Sequence, residues 1–121
     1  MIHPKERAQA YKAYTVKLKG STFIRYAGLL TLAHEKGQLS ITTELQTLDR
    51  DTGFVLFKAT ASVTLKDGST VSFTGYGDAS PKNVGKMIAP HLIRMAETRA
   101  KARALRDLVG CPYTAIEELQ Q

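Results

Sequence analysis

The stretch "FVLFKATASVTLKDGSTVSFTGYG", Phe54–Gly77, decides the fold. In its first half Val55, Phe57, Ala59, Ala61, Val63 and Leu65 alternate with mostly polar residues, and in its second half Val71, Phe73 and Gly75 share a face. A period of two is the pattern of strands with one buried face. The residues between the halves set the register, because directly opposed residues of an antiparallel pair lie on the same face. A two-residue Asp67-Gly68 turn would put Val63 opposite Ser72, apolar against polar. A three-residue loop, Lys66-Asp67-Gly68, puts Val63 opposite Val71 and Ala61 opposite Phe73. The second register is predicted, with Gly68 as the left-handed residue of a G1-bulge turn.

Working back along the chain, "QLSITTELQTL" (38–48) sets Leu39, Ile41, Thr43, Leu45 and Thr47 on one face. Pairing Leu45 with Phe57 also pairs Ile41 with Ala61 and leaves "DRDTG" as the loop, so the three strands form an antiparallel meander. The opposite face carries Ser40, Thr42, Thr60, Ser62, Thr64, Ser72, Thr74 and Tyr76, with Glu44, Gln46 and Lys58. Such a hydroxyl-rich surface is either a solvated face or the lining of a groove for phosphates and sugars. The glycines of "GYGDAS" are expected to let the third strand bend or leave the sheet, and Asp78 to serve as a turn or cap residue.

Working forward, "HLIRMAETRAKARALRD" (91–107) is expected to be a helix. Ile93, Ala96, Ala100, Ala104 and Leu108 form a stripe of mostly small residues that can approach the apolar face of the meander closely. At about 100° per residue, Arg99, Arg103 and Arg106 fall within roughly 60° of one another, along the flank of that helix. A groove between helix and sheet could there hold an anion. Leu105 and Val109 need a second packing surface, which is either the helix expected at "YAGLLTLAHEKG", with Gly37 as its left-handed stop, or another subunit. "TVKLKGSTFI" reads as a brief extended segment around Gly20, and Pro4 opens a short helix within an N-terminal arm spanning residues 1–20. The fold class is therefore α+β: a three-stranded antiparallel meander with a long C-terminal helix on one face, preceded by one or two short helices.

A chain of 121 residues with 43% hydrophobic and 23% charged residues suits one domain, residues 1–121, able to bury roughly two-thirds of its unfolded surface. No apolar run approaches the roughly 18 residues that span a bilayer, and "MIHPKERAQAY" lacks the apolar stretch of a signal peptide. No membrane association and a cytoplasmic location are expected, at the nucleoid if the source is bacterial or phage. Cys111 is the only cysteine, so no internal disulfide forms, and its thiol is expected to be buried or half-buried. His3, His34 and His91 lack metal-ligand spacing; neither metal nor cofactor is expected. Asp78, His91 and Glu97 are the clustered titratable groups, but nothing orders them as nucleophile, base and orienting group, and "GYGDAS" lacks the spacing of a phosphate loop. Catalysis is not expected.

The net charge is +6, and between Lys82 and Arg106 seven cations (Lys82, Lys86, Arg94, Arg99, Lys101, Arg103 and Arg106) face Glu97 alone. Such a field attracts phosphates. With no tryptophan in the chain, Phe54 and Tyr76 are the stacking candidates. Backbone recognition with little sequence preference is the expected mode.

The run "GFVLFKATASVTLKDGSTVSFTGYG" followed by "RALRD" resembles the core of the eukaryotic single-strand annealing recombination mediators and their phage and bacterial DNA-damage-response relatives. The resemblance covers roughly residues 25–110. It rests on "LKDGS" (65–69), "GYG" (75–77) and "RALR" (103–106), taken in order. It implies a β-β-β-α core, single-stranded DNA binding in recombination or repair, and Arg103 and Arg106 as phosphate contacts, with Lys58 and Lys66 on the other wall of the groove. Arg99 and Lys101 join this set from the helical stripe alone. Ala102 departs from the family, which places a basic residue there. Family members assemble into rings, and a homo-oligomer is expected here because a lone three-stranded sheet has edges to cover. Two rival readings remain open: a general RNA- or duplex-binding module, and a protein-interaction scaffold whose arginines meet acidic partners or sit buried in ion pairs with Asp107 and Glu97. A small enzyme with Asp78 in a pocket between helix and sheet is a remoter alternative.

Overall fold

Alternation in the middle third builds the sheet as expected. The structure is a computed structural model that describes residues 11–84 and 91–119. Strands β3 (Gln38–Leu48), β4 (Val55–Thr64) and β5 (Thr70–Ala79) form an antiparallel sheet in the order β3-β4-β5. Leu45 opposes Phe57, Ile41 opposes Ala61, Val63 opposes Val71 and Ala61 opposes Phe73. In the turn between β4 and β5, Gly68 has φ 90°. Leu65 N–H donates to the Ser69 carbonyl at 2.8 Å, and the Asp67 carboxylate accepts from the Ser69 hydroxyl and N–H at 2.6 and 2.9 Å. Those two bonds hold the Asp67 carboxyl below its ordinary pKa.

One detail of β3 departs from the expected alternation. Between Leu45 and Thr47 the register slips by one residue, so that Thr47 opposes Leu56 and Leu48 opposes Val55. A bulge at Gln46 inverts the alternation beyond it. Thr47 therefore joins the hydroxyl face, and Leu48 takes its place on the apolar one.

Before the meander, β1 (Thr15–Leu18) and β2 (Ser21–Ile24) form a separate two-stranded antiparallel sheet. The expected extended segment around Gly20 is thus a hairpin. Its turn residues Lys19 and Gly20 have φ of 52° and 81°, the doubly positive geometry of a type I′ turn. Helix α1 (Tyr26–Lys36) follows, with Leu29, Leu32 and Ala33 buried. It stops at Gly37, whose φ of 157° and ψ of −154° are not the left-handed conformation expected there. Glycine is needed at Gly37 for space, since a Cβ would collide with the Thr64 carbonyl oxygen.

Helix α2 (Leu92–Val109) lies across the apolar faces of β4 and β5. Ala96, Ala100 and Ala104 are fully buried, whereas Ile93, expected on the same stripe, is 51% exposed. Leu105 and Val109 are buried in one core cluster with Leu29, Leu32 and Ala33 of α1, a helix that α2 contacts, so a packing surface for them exists within the chain. The helix stripe seats directly on Gly75 and Gly77. A Cβ at Gly75 would lie 2.5 Å from Ala104 N and 2.8 Å from Ala100 O, and one at Gly77 would run into Ala100 N and Ala96 O. These glycines do not bend the strand out of the sheet, for Gly75 still opposes Ala59 and Gly77 opposes Phe57. Their missing side chains let two backbones touch.

After α2 the chain returns beside β2. Ile24 N–H donates to the Thr114 carbonyl at 3.0 Å, Ile24 and Ala115 form a parallel bridge, and Ile116–Glu118 make a 3-10 turn. The short helix expected from Pro4, and the first half of the expected arm, fall mostly outside the described residues. From Tyr11 the chain is anchored: this buried ring directs its hydroxyl at the Val109 and Gly110 carbonyls, 3.0 and 2.9 Å away. Cys111 is buried, and burial raises its thiol pKa.

Candidate nucleic-acid interface

Helical spacing does bring the three arginines to one flank of α2, but what they meet there is the chain's own C-terminal turn. Arg99 is only 7% exposed. Its Nε donates to the Glu118 carbonyl at 2.9 Å, Nη1 to the Asp78 carbonyl at 2.8 Å and Asn83 Oδ1 at 3.2 Å, and Nη2 to the Asn83 carbonyl at 3.3 Å. Burial first, and the positive charge of Arg103 second, lower its pKa, against the opposing pull of Asp78 and Glu118. Arg99 is therefore a buried fastener and not a free phosphate contact.

Arg103 bridges outward. Its Nε donates to Glu118 Oε1 at 3.0 Å and its Nη1 to the Tyr76 carbonyl at 2.9 Å, with Asp78 Oδ1 at 3.6 Å; its side chain remains 40% exposed. Arg106 approaches Glu118 Oε2 with Nη1 at 3.7 Å, and among the described residues nothing accepts from its buried Nε. The Glu118 side chain is 4% exposed, and its Oε2 accepts from Ala115 N–H at 3.0 Å. The flank expected to hold an anion holds one, a carboxylate from fifteen residues further along the chain. The ion-pair partners are Glu118 and Asp78 and not Asp107 and Glu97, the pair named under the scaffold reading: Asp107 is exposed and Glu97 accepts from the Thr43 hydroxyl at 2.8 Å.

The other expected site residues fall elsewhere. Lys101 places its Nζ 5.7 Å from the centre of the Tyr26 ring, a cation–π contact. Burial, with Glu97 and Glu117 in support, raises the pKa of Tyr26. Lys58 lies on the hydroxyl face, opposite Glu44 and Tyr76. Lys66 sits in the turn beyond β4, about 26 Å along the chain from Lys58 at roughly 3.3 Å per residue. Because α2 covers the opposite face of the sheet, these lysines do not form the second wall of an arginine groove. Asp78 is not a turn residue; it lies in β5 and accepts from Asn83 Nδ2 at 3.1 Å. His91 and Glu97 line a separate cleft with Arg50 and Arg94, and Asp78 is not part of it. Among the described residues no three His, Cys, Asp or Glu side chains gather as metal ligands would, and no helix is long and apolar enough to cross a membrane.

Of the three arginines, only Arg99 lines the cleft beside the β1–β2 hairpin. A cleft of about 500 Å³ is lined by Leu18, Lys19, Ser21 and Phe23 on one side and by Arg99, Glu118 and Leu119 on the other. Lys12, Lys17, Lys19 and Arg25 on and beside this hairpin are exposed, and no acidic residue occurs between 11 and 34. None of the four enters an ion pair among the described residues. A charge count over this segment would have found them; counting only 82–106 passes over them. The sheet's hydroxyl face stands open, with Ser62 and Ser72 hydroxyls 2.7 Å apart and Tyr76 exposed. No family model matches the chain, and no curated protein matches it.

Proposed function

We propose that this chain is a non-catalytic single-stranded DNA-binding domain of the strand-annealing type, acting in recombination or repair. It holds the strand by its phosphates along the cation-bearing β1–β2 hairpin, beside the cleft that opens onto Glu118. One observation carries this reading: Lys19 of the hairpin, outside any ion pair among the described residues, lines a cleft whose other side holds Glu118, the carboxylate that Arg103 and Arg106 seat. Lys12, Lys17 and Arg25 on and beside the same hairpin are likewise exposed and outside those ion pairs. Backbone contact of this kind leaves base edges free to pair. Exposed Leu45 on edge strand β3, and Val71 and Phe73 on edge strand β5, support a homo-oligomer. An intracellular site of action follows from the ligand.

Binding of a fluorescent oligothymidine across a salt series tests the reading. If about four phosphates are engaged, log K falls against log salt with a slope of roughly −3, at about 0.7 per phosphate. The double variant Lys17→Gln, Lys19→Asn should remain folded, since asparagine followed by glycine is a preferred pair for the type I′ turn that position 19 and Gly20 make. It should bind more weakly, with a slope shallower by about 1.4. Absence of binding by the unaltered protein at low salt would discard the reading. Competition by RNA and by duplex DNA at fixed salt separates the annealing type from a general nucleic-acid module.

The internal pairing of Arg99, Arg103 and Arg106 favours a second reading, a protein-interaction scaffold. It expects Arg103→Ala to lower stability in a protein that has no nucleic-acid affinity to lose.

A further inference from the structure

We infer that the C-terminal turn Ile116–Glu118 is an internal plug: the Glu118 carboxylate occupies the seat between Arg103 and Arg106 that a backbone phosphate of the strand takes when the turn lifts away. This rests on the nucleic-acid reading above and adds a regulated step to it.

Three observations carry the inference. The first is that Glu118 fills the seat incompletely. Its Oε1 is used by Arg103 Nε and its Oε2 by Ala115 N–H, so Arg106 is left at 3.7 Å with its Nε unpartnered among the described residues. A tetrahedral phosphate offers oxygens at wider angles and can accept from both guanidinium groups at once, which two carboxylate oxygens already engaged elsewhere do not. The second is that much of the turn's hydrogen bonding is local. Glu118 N–H returns to the Ala115 carbonyl and Leu119 N–H to the Ile116 carbonyl, at 3.0 and 3.1 Å. Those bonds travel with the turn when it moves. Its ties to the body are, besides the Arg103 and Arg106 contacts with its carboxylate, the Arg99 bond to the Glu118 carbonyl, the Tyr26 N–H bond to Glu117 Oε1, and the Ile24 bond to Thr114 with the Ala115 bridge. The third is position: the cleft beside the hairpin opens directly onto Glu118 and Leu119, so a strand lying against Lys19 arrives at the plug.

The prediction concerns Glu118→Gln, which keeps side-chain size and an oxygen for Ala115 N–H while removing the competing charge. It should bind oligothymidine about tenfold more tightly than the unaltered protein, the scale of one charge-assisted hydrogen bond. Glu35→Gln makes the same change in net charge at an exposed position on α1, outside the ion pairs of the described residues. It should alter affinity by less than about threefold, well short of that tenfold. Thermal melts establish that both variants fold. A Leu119→Trp reporter covers the case in which Glu118→Gln does not fold, since the chain has no other tryptophan. The emission of this indole should shift to longer wavelength as the oligonucleotide binds and the turn is released. Equal or weaker binding by folded Glu118→Gln, or an unchanged indole emission from the Leu119→Trp variant at saturating oligonucleotide, overturns the plug and leaves the binding reading intact. If the unaltered protein and every variant fail to bind at low salt, the binding reading falls and the plug with it.

Discussion

Gly77→Ala should cost about 3 kcal/mol of stability, the upper part of the range for overpacking, and lower the melting temperature by roughly 12 °C at about 4 °C per kcal/mol for a domain of this size. The methyl group would run into Ala100 N and Ala96 O. Both are backbone atoms of a helix, so no rotamer change relieves the contact. The only escape is to lift α2 from β5, which would loosen Ala96, Ala100 and Ala104 and the packing of Leu105 against α1 together. Gly68→Ala is the matched control. It has open space around it but a φ of 90°, so only backbone strain is added, about 1 kcal/mol. Urea melts of the two variants check the order, and a shift at Gly77 no larger than at Gly68 would show that the helix yields without cost. The "GYG" motif is thereby a packing device, and the tyrosine between its glycines faces solvent on the other side of the sheet.

Arg99→Met should be of similar or larger effect, about 3–5 kcal/mol, because it removes a buried donor shared by several neutral acceptors at once. Methionine keeps most of the volume and loses every donor. The carbonyls of Glu118, Asp78 and Asn83 would each lose the bond that Arg99 supplies, at about 1–3 kcal/mol for each that stays buried and unpaired. Arg99→Lys should recover little, since a single ammonium cannot span acceptors on three separate segments as the planar guanidinium does. Arg103→Ala, at a side chain 40% exposed, should cost less than Arg99→Met. Equilibrium unfolding of the three variants tests this ranking. If Arg99→Met proved as stable as the unaltered protein, Arg99 would return to the set of free cations, and the assignment of the C-terminal turn as docked against α2 would have to be reconsidered.

Together these variants separate residues that hold the fold from residues free to hold a ligand. Arg99 belongs to the first group. Lys17, Lys19 and Arg25 belong to the second by exposure and by standing outside the ion pairs of the described residues. Arg103 and Arg106 stand between: both are paired with Glu118, and release of the proposed plug would free them.

The α+β class, the meander, the β4–β5 register, the β3–β4 register as far as Leu45 and the three-residue turn at Gly68 were legible in the sequence alone. The reason is physical: side-chain alternation has a period of two, and a hairpin loop length then leaves one register in which apolar faces apolar. The alanine stripe of α2 was legible for the same reason at a period of 3.6. What lay beyond local periodicity needed the tertiary structure. The bulge at Gln46 inverts a face without any glycine or proline to announce it. The role of Gly75 and Gly77 depends on which helix crosses them. Above all, the fate of the arginine stripe was set by Glu118, fifteen residues past Arg103, and by a hairpin some eighty residues before it. Helical spacing places charges on one flank, but only the folded chain decides which of them find a partner, because ion pairing depends on distance in space and not on separation along the sequence.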